Sequence, residues 1–241
     1  MLRQFVKDYQ LIENIPEGNY RFDGGSCAPK GMIFHIVEDA SKKINVLDIG
    51  FGLGQMGEVI KTNPTSSHWE VDGIDGYEVA CFNTELFRRN YYRNIWHGLA
   101  QDLSIDQLRK YDVICLLDVI EHLNLETAKW FLRTLLSSLR EDSFLFISTP
   151  LWFYPQARKS EGDLEEHLIG VPASSMMALQ PIMYAFGVDL VGGFVYKRTS
   201  LDYIEFFQPT VDKTFSIERG IKVATSVGMR LQENILCKTD F

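Results

Sequence analysis

Apolar residues recur along this chain in two rhythms. In residues 1–14, Leu2, Phe5, Val6, Tyr9 and Ile12 fall at helical spacing, and Met32, Ile33, Ile36, Val37 and Ala40 share one face of a second helix. Between them "NYRFDGGSCAPKG" reads as a loop, because it holds three glycines and a proline. Short apolar runs then alternate with amphipathic ones. "INVLDIG" reads as a strand and "QMGEVIKTN" as its helix. "HWEVDGIDG" is a second strand, "YEVACFNTELFRRN" a helix, and "NIWHGLAQD" a short third strand with its turn. "YDVICLLD" is almost continuously apolar, as a strand buried on both faces must be. "NLETAKWFLRTLLSSLR" is the clearest helix, with a stripe of Leu125, Ala128, Phe131, Leu132, Leu135, Leu136 and Leu139. "SFLFISTP" is a fifth strand, stopped at Pro150.

Beyond Pro150 the pattern loosens. "LWFYPQARKSEGDLEEHLIG" is a long polar and aromatic loop. "VPASSMMALQPIMYAFG" has helical composition, which Pro181 should kink or split. "VDLVGGFVY" reads as a sixth strand and "ENILCKTD" as the last one, with an aromatic insert (Tyr203, Phe206, Phe207, Phe215) between them. Strands alternating with helices predict an α/β fold. Its sheet would be doubly wound and mostly parallel, with about seven strands and helices on both faces. The expected organisation is a single domain over 1–241: an N-terminal helical cap over 1–43, a cofactor-binding core over 44–197, and an insert plus the last strand over 198–241. Ligands of such sheets sit beyond the carboxyl ends of the strands. Asp48, Asp75, Asp102 and Asp118 all fall at such ends.

Bulk properties narrow the partners. The 241 residues are 46% hydrophobic and 23% charged, enough to bury one sizeable core. With 24 basic and 32 acidic side chains the net charge is −8, which disfavours nucleic acid as the main partner. No apolar run approaches the ~18 residues of a membrane span. "MLRQFVKDYQLIEN" mixes charges and is not a signal peptide. Cys27, Cys81, Cys115 and Cys237 form no C-x-x-C pair. They read as free thiols of a cytoplasmic chain, and no zinc or other metal site is expected.

The candidate chemistry lies in "VLDIGFGLGQMG", residues 46–57. Gly52, Gly54 and Gly57 satisfy G-x-G-x-x-G, and Asp75 follows Gly54 by 21 residues, which fits a dinucleotide site. Two features argue against NAD. Asp48 breaks the apolar run, so the turn begins early at Gly50 and a carboxylate would face the pyrophosphate. Asp102 and Asp118 add two further acids. A ring of carboxylates suits a ligand with hydroxyls, amino groups and positive charge, and S-adenosylmethionine is such a ligand.

Here the motifs carry a resemblance. "VLDIGFGLG", "VDGIDGYE", "QDL", "YDVICLLDVIEHL" and "SFLFISTP" resemble, in order, the motifs of class I S-adenosylmethionine-dependent methyltransferases. "DVIEHL" is similar to the form found in their small-molecule members. The match spans residues 44–150. It implies the Rossmann-like methyltransferase fold and S-adenosyl-L-methionine as cofactor. It also implies roles. Gly50, Gly52 and Gly54 would let the backbone pass close under the methionine and ribose. Asp48 would orient the ammonium group through water. Asp75 would accept both ribose hydroxyls, with Gly76 and Tyr77 beside it. Asp102 and the amide of Leu103 would read the adenine edge, and Asp118, Val119 and Ile120 would line the sulfonium side.

Structural alternatives stand beside these roles. The glycines could only turn the chain, Asp75 could cap the next helix, and Asp102 could cap "SIDQLRK". Glu121 and His122 could decorate the first turn of a helix, and His167 could be a surface histidine in an acidic loop. Met176, Met177 and Met183 read as core filler. His35, His68 and His97 read as non-catalytic, and Arg88, Arg89 and Arg93 as a solvated helix end. For catalysis, His122 and His167 are the candidate bases, and Trp152, Phe153 and Tyr154 could cover an organic acceptor. Residues 1–30 could help enclose the cofactor. "DVIE" stands where amino-methylating DNA enzymes carry an N-P-P-Y-like tetrad, and Cys115 lies within a buried strand, so a small-molecule acceptor is expected at oxygen, nitrogen or carbon. The alternatives are an NAD-dependent oxidoreductase and a non-catalytic methyltransferase-like binding or interaction protein.

Overall fold

The apolar runs pair as their composition demands. The computed structural model describes residues 3–4, 25–37, 39, 41–154, 156–158, 162, 164–186, 190–226, 229–232 and 235–238. One sheet contains β1 (Arg3–Gln4), β2 (Asn45–Ile49), β3 (Glu70–Asp75), β4 (Asn94–His97), β5 (Val113–Leu117), β6 (Phe144–Pro150), β7 (Met183–Phe186) and β8 (Val191–Lys197). The spatial order is β1-β7-β8-β6-β5-β2-β3-β4. Strand β8 runs antiparallel to both its neighbours, β6 and β7, and the remaining pairs are parallel.

Successive residues of β5 serve opposite faces. Ile114 and Leu116 enter a core with Phe131, Leu132 and Leu135 of the helix over Leu125–Ser138. Val113 and Cys115 enter a second core with Met56, Val59 and Ile60 of the helix over Gln55–Thr62. Leu132 and Leu135 are both fully buried. Truncating either to alanine should cost about 2–5 kcal/mol. The order reverses beside β2, which has β3 on one flank and β5 on the other. Outside the carboxyl ends at that point such sheets open a crevice.

Several expectations need correction. From within the proposed loop into the expected second helix, residues Gly25–Met32 form a 3-10 helix, followed by the single turn α1 (Ile33–Ile36). This segment lies on β8, because Gly193 leaves room: a Cβ there would stand 2.6 Å from both Met32 Sδ and Pro29 Cβ. In the expected first helix, Arg3–Gln4 instead pairs with Met183 and Tyr184, and residues 1–2 and 5–14 lie outside those described. The helix α2 (Gln55–Thr62) follows the glycine loop as expected. The next helix is broken into α3 (Glu78–Cys81) and α4 (Thr84–Arg88), because the Asn83 side chain accepts the Glu85 amide and starts a new helix. The short α5 (Ile105–Leu108) and the long α6 (Leu125–Ser138) follow.

Pro181 does not kink a helix. The helix α7 (Ala173–Ala178) ends before it, and "MYAF" then forms β7, as its aromatic composition favours. The strand in "VDLVGGFVY" is therefore the antiparallel one inserted between β7 and β6. The described part of "ENILCKTD" does not join the main sheet. Its β10 (Ile235–Lys238) pairs with β9 (Met229–Gln232) in a separate two-stranded unit. The unassigned insert holds α8 (Lys213–Ser226).

Candidate functional site

The chain leaves β2 through three left-handed glycines: Gly50 (φ 70°), Gly52 (φ 52°) and Gly54 (φ 79°). L side chains strain at these angles. Gly50 is also needed for space, since a Cβ there would lie 2.4 Å from Val119 Cγ2. Gly52 faces open space, with nothing within 4 Å of the same position. The loop thus turns the chain and leaves one side uncovered.

Asp75, the last residue of β3, clamps this loop. Its Oδ2 accepts the Gly52 N–H at 2.8 Å and its Oδ1 accepts the Tyr77 N–H at 2.8 Å. It makes no side-chain cap on α3. Each oxygen keeps a further lone pair, so the carboxylate can accept two more donors side by side. Gly76 is close-packed, with Leu164 Cδ1 and Leu99 Cδ2 at 2.6 and 3.0 Å from its virtual Cβ.

The uncovered side opens into a cleft of about 230 Å³ at the β2/β5 crevice, lined by Lys30, Asp48, Gly50–Leu53, Gln55, Met56, Leu117, Asp118 and Glu165. Lys30 arrives from the 3-10 helix and lines this cleft, while residues 1–2 and 5–24 of the N-terminal segment lie outside those described. Asp48 is buried and accepts the Tyr92 hydroxyl at 2.6 Å. Burial raises its carboxyl to about 7, against the opposing pull of the Tyr92 hydrogen bond and of Lys30. Asp118 sits at φ 55°, an uncommon backbone angle for a residue other than glycine. It accepts from Ser148 Oγ at 3.0 Å and pairs with Lys30 Nζ at 3.5 Å. Burial pushes its pKa up, and Lys30 is the main opposing influence. Val119 packs against Gly50, and Ile120 is fully buried in the core beneath.

Asp102 lies elsewhere, exposed on the rim of a larger groove of about 540 Å³ that runs past Trp96, Gly98, Leu99 and Leu103. It does not cap α5. Ser104 does, in a capping box with Gln107. The Leu103 amide donates to the Ala100 carbonyl at 3.1 Å.

The two candidate bases meet. His122 and His167 have ring centroids 4.6 Å apart, edge to face. His167 is not a surface histidine, being only 4% exposed, and Glu121 and His122 lie in the 3-10 turn Ile120–His122, the first buried and the second half-buried. Burial, followed by the charge of His122, lowers the His167 imidazole to about 4. Trp152 and Phe153 are buried, whereas Tyr154 is half-buried and packs on the His167 ring. Met176 is core filler as expected. Arg93 is not part of a solvated helix end, since it makes a two-pronged ion pair with buried Asp72. His35, His68 and His97 are exposed, as are Arg88 and Arg89. The pattern missed Lys30, Tyr92 and Glu121 as site groups. Each acts across a distance the local rhythm does not encode.

A family model described as a methyltransferase domain matches residues 30–179. Among solved structures, the mitomycin 7-O-methyltransferase MmcR is 16% identical, with a TM-score of 0.46 over 72% of this chain and 54% of that one. An O-methyltransferase family protein from Burkholderia thailandensis is 13% identical, with a TM-score of 0.45 over 73% of this chain and 57% of that one. The plantazolicin methyltransferase BpumL, solved with S-adenosylhomocysteine, is 24% identical, with a TM-score of 0.38 over 52% and 46%. The matched part of this chain spans less than two thirds of each of these solved chains. No curated protein matches the chain.

Proposed function

This chain belongs to the methyltransferase-domain family, within the class I S-adenosylmethionine-dependent methyltransferases, and from that premise we propose that it methylates an oxygen, nitrogen or carbon of a small-molecule acceptor. The observation that carries the reading is the Asp75 clamp: a strand-end carboxylate with two lone pairs left, fixed by 2.8 Å hydrogen bonds to Gly52 and Tyr77 beside an open glycine loop.

The residues fit the cofactor. Gly52 leaves room where a ligand must lie against the backbone. Asp75 offers a matched pair of acceptors for a ribose diol, and buried Asp48 offers a carboxyl for an ammonium group. The cleft is walled by Asp48, Asp118 and Glu165, with Lys30 as the cation among its lining residues. That balance disfavours a pyrophosphate and hence NAD. When bound, S-adenosylmethionine supplies a methyl group already activated on a sulfonium.

The protein's own contribution is then alignment and exclusion of water. Asp118, held by Ser148 and Lys30, fixes the turn that sets Val119 against Gly50, whereas Ile120 does not line the sulfonium side because it is buried in the core beneath. His122 and His167 mark the acceptor wall beyond it. Each ring has one nitrogen committed to a backbone carbonyl, which fixes its orientation in that wall. Mass spectrometry of ligand co-purified with the chain, followed by an acceptor screen with labelled donor, tests the reading. Methyl incorporation into a small molecule supports it. Cofactor binding with no turnover of any acceptor would favour a binding protein instead.

A further inference from the structure

We infer that Glu121, His122 and His167 form a binding site for a divalent first-row transition metal ion. One donor atom from each lies within 4.8 Å of those of the other two. The site draws on separate elements: Glu121 and His122 lie in the short 3-10 turn after β5, and His167 in the loop after β6. Main-chain bonds fix one to the other, as the amides of Leu168 and Ile169 both donate to the Glu121 carbonyl, at 2.8 and 3.2 Å.

The donors are prepared for a cation. His167 Nδ1 stands 2.7 Å from the Tyr154 carbonyl and His122 Nδ1 stands 3.2 Å from the Glu166 carbonyl. A carbonyl only accepts, so each Nδ1 carries the hydrogen, and in a neutral ring so placed Nε2 is the nitrogen that offers a lone pair. This is the arrangement that fixes the tautomer and ring orientation of metal-binding histidines.

Glu121 supplies an independent observation. Its Oε2 accepts from Thr149 Oγ1 at 3.0 Å, but no donor among the described residues reaches its buried Oε1. An acceptor buried without a partner is costly, and a cation there would satisfy it. Two imidazoles and one carboxylate suit Zn²⁺, Mn²⁺, Fe²⁺ or Co²⁺. Mg²⁺ and Ca²⁺ prefer sets made of oxygen alone.

Three protein donors leave at least one coordination position for water or for an oxygen of the acceptor. His122, half-buried, is the side from which such a group would enter. The sequence gives little warning, since Glu121 and His122 are adjacent and His167 is far along the chain.

Binding of the ion is separable from the proposed methyl transfer. The test therefore uses the full chain, stripped with chelator, and titrates Zn²⁺ and Mn²⁺ by calorimetry and Co²⁺ by its visible absorption, with Mg²⁺ as comparison. One equivalent of Zn²⁺ or Co²⁺ should bind. His167→Ala, Glu121→Gln and His122→Ala should each weaken binding about 100-fold or more, since loss of mere supporting groups already costs about 10–100-fold. S-adenosylhomocysteine affinity should persist in those variants and so certify their fold. Three outcomes would overturn the site: no saturable one-to-one binding of any of the three transition metals, binding stronger for Mg²⁺, or binding untouched by every variant that still takes S-adenosylhomocysteine.

Discussion

The hydroxyl of Tyr92 donates to Oδ2 of Asp48 at 2.6 Å, and both residues are only 2% exposed. That enclosure sets a pH dependence. Burial raises the Asp48 carboxyl from 3.8 to about 7. Between those values the native state holds a proton that the unfolded chain has released. The native state binds more protons there, so stability falls as pH rises through the window. Asp48→Asn cannot titrate. Urea unfolding at about pH 4.5 and about pH 7.5 should show wild type losing stability with rising pH relative to Asp48→Asn. Identical pH dependence in the two proteins would sink this assignment.

The glycines of the loop should differ in their tolerance. Gly52→Ala meets only left-handed strain, about 1–2 kcal/mol. Gly50→Ala meets that strain and also Val119, whose Cγ2 lies 2.4 Å from the new Cβ position. Overpacking adds about 1–3 kcal/mol. Gly50→Ala should therefore be the less stable variant, and adding Val119→Ala should recover part of the difference. A double-mutant cycle without coupling would contradict the packing argument.

Buried Asp72 in β3 is held by Arg93, Asn94 and Tyr111, with the two Arg93 contacts at 2.5 and 3.0 Å. Burial alone would raise its pKa. The hydrogen bonds from Arg93, Asn94 and Tyr111, with the Arg93 charge, outweigh burial and hold it below the ordinary value. Breaking a fully buried pair costs about 3–5 kcal/mol. Arg93 is 40% exposed, so Arg93→Met should cost less, about 1–3 kcal/mol near neutral pH. The contribution of the pair is present above the unfolded carboxylate range and is lost as pH falls through the lowered native value. The cost of Arg93→Met, measured by chemical unfolding, should thus shrink in acid. A cost that grows in acid would contradict the ion pair.

These tests rest on features that differ in how openly the sequence displays them. The strand ends Asp48, Asp75 and Asp118 are legible, because each interrupts or ends an apolar run and a parallel sheet places such positions on one edge. The helix Leu125–Ser138 is legible from its stripe. The β7 strand is not, because four residues after a proline carry too short a pattern to outweigh the helical composition before them. The partners of the site are hidden for another reason. Tyr92 reaches Asp48, and Lys30 reaches Asp118, only after the chain has folded. His167 reads as a loop residue because nothing near it signals that Glu121 and Tyr154 will bury it.

Asp75 bears most directly on the account, since it both clamps the glycine loop and offers the ribose acceptors. Titration of wild type with S-adenosylmethionine, S-adenosylhomocysteine and NAD, repeated with Asp75→Ala and Asp75→Asn, tests it. Hydrogen bonds to a charged acceptor contribute about 1.5–3 kcal/mol each. Losing two should weaken binding on the order of a hundredfold or more, since 1.4 kcal/mol is about tenfold. Asp75→Asn should fall between, because its single amide oxygen can serve only part of the set. Wild type should bind S-adenosylmethionine and S-adenosylhomocysteine, and not NAD. Tight NAD binding by wild type, or full S-adenosylmethionine affinity in a folded Asp75→Ala, would contradict the account at its centre.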